Sequence, residues 1–182
     1  MNESNPQFES ETPPPPLHMG KFAPTKPGTP AAPTEEGPTL VIRRAAEKTA
    51  EESAQPVVAP KGSALPPKNL LGAVSYCYSK GVYRSEDIEH SMLKDPELRA
   101  SIGNEVPDAH AIRRFRRYNR EAILTTLGKF FRWRRAQAIV AAEKETGVAA
   151  PAASENTQFF VKTEAKDTVE KAAWVDNMSK DD

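Results

Sequence analysis

Four arginines within five positions, Arg113, Arg114, Arg116 and Arg117, are the residues whose type and spacing speak most directly of chemistry. A guanidinium is permanently charged and planar. Its fork of donors spans two phosphate oxygens, or the O6 and N7 acceptors of guanine in a major groove. At about 100° per residue, Ala111, Ile112, Phe115 and Tyr118 fall in one helical arc, with the four arginines on the other side. The segment therefore reads as a helix anchored by an apolar stripe, with a cationic face directed outward. Neighbouring like charges on a helix repel by a few tenths of a kcal/mol per pair, so such a face becomes useful when it meets a polyanion.

The same chemistry continues into the next segment. Arg120 lies near its start, Lys129, Arg132 and Arg135 run along one edge, and Ile123, Leu124, Leu127, Phe130 and Phe131 make its apolar side. Arg134 falls inside that apolar arc, so close packing is expected to end near Phe131. Together Arg113, Arg114, Arg116, Arg117, Arg120, Lys129, Arg132 and Arg135 are the candidate contacts, and double-stranded DNA is the expected partner. The whole chain carries no formal net charge, but residues 109–135 hold nine basic groups against one acid, a local +8. An island of that size in an otherwise acidic chain is the main charge signal.

Other chemistries find little support. Cys77 is the only cysteine, which excludes an intrachain disulfide and suits a reducing compartment. His18, His90 and His110 are far apart and have no cysteine at ligand spacing, so no metal site or cofactor is expected. No catalytic triad or dyad and no glycine-rich phosphate loop can be assembled, and the chain does not read as an enzyme. The first residues are acidic and proline-rich, unlike a secretion signal, and no apolar run reaches the roughly 20 residues of a membrane span. A cytoplasmic, nucleoid-associated location is the expectation.

The elements that must position the arginines follow from local signals. Residues 1–64, with Pro13–Pro16 and much Pro, Thr and Ala, read as a disordered tail, and Leu40-Val41-Ile42 within it as an incidental patch. Pro66-Pro67 opens a helix carrying Leu70, Leu71, Val74 and Tyr78, which Gly81 stops. Ser85 is the expected N-cap of a second helix buried through Ile88, Met92 and Leu93. Asp95-Pro96-Glu97 starts a short third helix ending at Gly103-Asn104. Asp108 caps a fourth, running to Tyr118, and Asn119 a fifth, running towards Glu145 and stopping at Gly147. The expectation is all-α: a five-helix, helix-turn-helix-like domain over 65–146. A flexible tail over 147–182 would follow, with 168–178 as its one candidate helix.

The stretch from Leu70 to Arg117 resembles the N-terminal domain of insertion-sequence transposases of the InsH type. The resemblance is carried by Leu70 through Ser85, Ile88-Glu89, Glu97-Leu98-Arg99, Gly103-Asn104, Pro107-Asp108 and Ile112 through Arg117, and covers about a quarter of the chain. It implies a helical DNA-recognition domain. The family usually carries a histidine and two small hydroxyl residues after Pro-Asp, where this chain has Ala109, His110 and Ala111. Hydroxyl contacts to phosphate at that helix start are therefore not expected. The family's ribonuclease-H-like catalytic part is not expected either, since about 65 residues follow Arg117.

The resulting expectation is a stand-alone, transposase-derived DNA-binding protein, a regulator or a remnant of a mobile element. The alternative is an interaction module whose basic helix docks an acidic partner, with a related transposase or a second copy of the chain as candidates. RNA binding stands third, because Tyr118, Phe130 and Phe131 read as buried and leave few platforms for unstacked bases.

Overall fold

The computed structural model describes residues 37–60, 65–103, 105–147 and 155–178, all within one structural unit spanning 33–182. These residues form seven helices and no strand: α1 (Pro38–Glu52), α2 (Pro67–Ser79), α3 (Ser85–Lys94), α4 (Pro96–Ile102), α5 (Ala109–Tyr118), α6 (Arg120–Thr146) and α7 (Glu155–Met178). None is long and apolar enough to cross a membrane. The all-α expectation is met, with seven helices where the sequence suggested five.

The axle is α2. Leu70 through Tyr78 are buried without a break, as a helix apolar around most of its circumference must be. It is packed by α1, α3, α4, α6 and α7. Gly72 faces α1: a Cβ added there would stand 3.5 Å from the Arg43 Cα and 3.6 Å from the Ala46 Cβ. The helix ends where Gly81 takes a φ of 80°, which L side chains rarely adopt.

Several local signals act as their chemistry requires. Pro67 occupies the first turn of α2, where its missing N–H leaves no bond unmade. The Asp95 carboxylate accepts from the amides of Glu97 at 2.8 Å and Leu98 at 3.3 Å, capping α4. Asp108 accepts from the Ala111 amide at 2.6 Å and caps α5. Gly147 closes α6 in the left-handed conformation. In α6 the buried positions are Ala122, Ile123, Thr126, Leu127, Phe130 and Phe131, and close packing does end at Phe131. Arg134 lays its guanidinium 4.6 Å from the Phe131 ring centre, covering that edge.

Other expectations are corrected. The segment holding Leu40-Val41-Ile42 is α1, with Ile42, Ala45, Ala46 and Thr49 buried at helical spacing. Small side chains let it lie close on α2, and the entropy of ordering it is offset by that burial. Residues 1–36 and 61–64 of the expected tail, and Asn104, lie outside the described residues. The C-terminal helix begins at Glu155, well before 168, and buries Val161, Ala165, Thr168, Val169, Ala172 and Asp176. It runs antiparallel to α6, with Glu164 beside Arg134 and Arg135 at one end and Val169 and Ala173 beside Ile123 nearer the other. Residues 148–154 and 179–182 of that tail are likewise outside the description. Ser85 is the first residue of α3 rather than its cap, and Leu93 is exposed. Asn119 precedes α6 without capping it; its side chain is engaged elsewhere.

Candidate nucleic-acid interface

The arginines of α5 are sorted by the way α5 packs. Its stripe of Ala111, Ile112 and Phe115 lies in the core and α5 packs chiefly on α3. Arg116 is one position from Phe115 and four from Ile112, so it is carried onto the same face. It is 4% exposed. Its Nε donates to the Tyr78 hydroxyl, and its Nη1 to the Ser85 hydroxyl at 2.8 Å and to the Asp176 carboxylate at 2.9 Å. Its Nη2 donates to the Ala172 carbonyl oxygen at 3.1 Å. The expectation that Arg116 faces solvent is overturned: a cation with that many partners is a structural bolt between α2, α3, α5 and α7. Its surroundings act on its neighbours. Burial pushes the Tyr78 hydroxyl up to about 12 against the pull of Arg116. It also raises the Asp176 carboxyl above the ordinary aspartate range, although Arg116, Arg113 and Arg117 oppose it.

Three more candidates are neutralised within the molecule. Arg113 is largely covered and pairs with Glu86 at 2.7 Å. Glu86 is held below the usual glutamate range, first by a hydrogen bond from its own amide, against some desolvation, and then by Arg113 and Arg84. Lys129 pairs with Glu52 of α1 at 2.7 Å, and that bond is the main cause lowering the Glu52 carboxyl. Arg135 lies 3.7 Å from Glu164 of α7, which also pairs with Arg134. The basic island is thus partly spent on acids from α1, α3 and α7.

Arg114, Arg117, Arg120 and Arg132 remain exposed, and among the described residues no carboxylate forms an ion pair with them. On α5 the outward arc is His110, Arg114, Arg117 and Tyr118, at intervals of four, three and one. Arg120 follows at the first position of α6. Arg132 is separate, about 18 Å further along α6 by helical rise. It lines a groove between α6 and α7 with Leu124, Gly128, Phe159 and Lys162.

Sequence reasoning placed Tyr118 in the core, but the ring is 73% exposed. At 100° per residue it sits 120° from Ile112, at the far edge of the proposed stripe, and the core closes before reaching it. It borders a groove of about 680 Å³ between the segment Ser53–Val58 and the junction of α5 and α6. Asn119 ties the two walls together. Its side-chain oxygen accepts from the Val58 amide at 2.7 Å, and its Nδ2 donates to the carbonyl oxygens of Val58 and Phe115, both at 2.9 Å.

The outward arc of α5 thus ends in an exposed aromatic ring beside two exposed guanidiniums, on a base held by hydrogen bonds. Comparison of the whole chain with known proteins finds no match among curated proteins or solved structures. Residues 40–118, from the first turn of α1 to the last residue of α5, match the family model described as Transposase domain (DUF772), which supports a relationship to transposases for this part of the chain.

Proposed function

We propose that this is a transposase-derived DNA-binding protein that acts by occupying DNA rather than by cutting it, as a regulator or a remnant of a mobile element. In this reading α5, held by α3 on which it chiefly packs, is the helix laid against the duplex. Arg114 and Arg117 face the duplex, and Arg120 holds a phosphate at the junction. The reading rests on one observation above the others: the outward arc of α5 carries two exposed arginines, with a third at the start of α6, none of them ion-paired among the described residues. The transposase match over the same helix supports it. Arg113, Arg116, Lys129 and Arg135 have no direct part in it, because each already holds a carboxylate of its own chain.

Fluorescence anisotropy with a mixed-sequence duplex at low salt tests the reading. Binding is expected, weakened several-fold by Arg114→Ala or Arg117→Ala and unchanged by Lys162→Ala on α7. Absence of binding at low salt would overturn the reading.

A further inference from the structure

We propose that Tyr118 is a stacking platform for an unpaired nucleobase of DNA whose flanking phosphates rest on Arg117 and Arg120. The inference rests on the DNA-binding reading and names the form of DNA that the site prefers: a duplex with a single-stranded extension. The ring is 73% exposed at the last position of α5, which leaves its π-face open to a stacking partner. Its chain neighbours supply the rest of a nucleotide site. Arg117 precedes it and Arg120 follows it by two, and both line the same groove as the ring.

The groove suits a base in size and in chemistry. Its volume of about 680 Å³ exceeds that of a single nucleobase, and Pro56, Val57, Val58 and Ala122 supply apolar wall. Glu121 and Gln55 lie on the same lining and can bond the exocyclic amines and carbonyls of a base edge. The walls are pinned by the Asn119 side chain, so the platform is presented from a fixed base and little ordering remains to be done on binding. A duplex offers no free base face, because its bases are stacked on one another. A strand beyond the duplex end does, and stacking on an aromatic is tolerant of sequence because every base has a π-face.

The test uses the full chain and a duplex whose single-stranded overhang carries a fluorescent adenine analogue, with the blunt duplex as reference. The overhang is expected to bind about tenfold more tightly than the blunt duplex and to have its fluorescence quenched. Tyr118→Ala should abolish both the preference and the quenching and leave blunt-duplex binding in place, while Tyr118→Phe retains them. Equal affinity for overhang and blunt duplex, or quenching that survives Tyr118→Ala, overturns the proposal while the DNA-binding reading stands. Tighter binding of an RNA overhang than of the DNA overhang overturns the assignment to DNA. Failure to bind any duplex overturns the underlying reading, and this inference with it.

Discussion

Arg116 and Asp176 form a buried ion pair, Nη1 to Oδ1 at 2.9 Å, that bolts the last turns of α7 onto α5 across sixty residues of sequence. An arginine inside a run of four arginines is thereby part of the core, and the helix that holds it lies outside the segment matched to transposases.

Breaking this pair from one side should cost more than removing both partners. Arg116→Met leaves a buried carboxylate without its cation and is expected to cost about 3–5 kcal/mol. Adding Asp176→Leu should recover most of that loss, because two apolar side chains can pack where two charges had to be desolvated. Urea unfolding of the singles and the double gives the coupling; additive losses would mean that the two residues do not act as a pair.

The same pair sets a pH dependence. Burial raises the Asp176 carboxyl in the folded protein, so the folded state binds its proton more tightly than the unfolded chain does. Its contribution to stability is therefore fully present below the ordinary aspartate value and declines as pH rises from there through the raised folded value. Measured against Asp176→Asn, wild-type stability should fall with rising pH across that window. The decline should extend to higher pH in Arg116→Met, where the opposing guanidinium is gone. A wild-type difference that rises with pH would refute the assignment.

Salt dependence should count the exposed arginines of α5 and its junction with α6, Arg132 lying apart from them. With Arg114, Arg117 and Arg120 each on a phosphate, the slope of log K against log salt should be about −3. Arg114→Ala should reduce its magnitude by about one, whereas Lys129→Ala, which removes a cation already paired with Glu52, should leave it unchanged. An unchanged slope for Arg114→Ala would remove that residue from the interface.

The docking of α1 makes a packing prediction. Ile42 is fully buried, so Ile42→Ala should cost about 2–5 kcal/mol. Gly72→Ala places its methyl at ordinary contact distance from α1 and replaces a poor helix former, for an expected gain of up to about 1 kcal/mol. Gly72→Leu should instead force α1 away and destabilise. Thermal melts of the three variants decide it: if Leu is as well tolerated as Ala, α1 does not rest on α2.

Much of the fold was legible because the signals that start and stop helices are local. Pro67, Asp95 with Pro96, Asp108 and Gly147 act through the backbone of their own few neighbours, and each stands where those neighbours require it. The helix α1 was written in the sequence too, in Pro38 at its start and Ile42, Ala45, Ala46 and Thr49 at intervals of three, one and three. Alanine and threonine are weak hydrophobic markers, so the pattern is easily passed over beside proline-rich text. The helix α7 hides in the same way behind Ala165, Thr168 and Ala172.

The sequence by itself determined where the helices form, that one stretch is rich in arginine, and that this stretch has an apolar side. Only the tertiary structure decided which of those arginines face solvent. Arg113 meets a carboxylate 27 residues away, Arg116 one 60 away and Lys129 one 77 away, and burial of Arg116 is tolerated because Asp176, Ser85 and Tyr78 arrive to receive it. Helix propensity depends on neighbours along the chain. The cost of burying a charge depends on partners brought from elsewhere, and those are fixed when the chain packs.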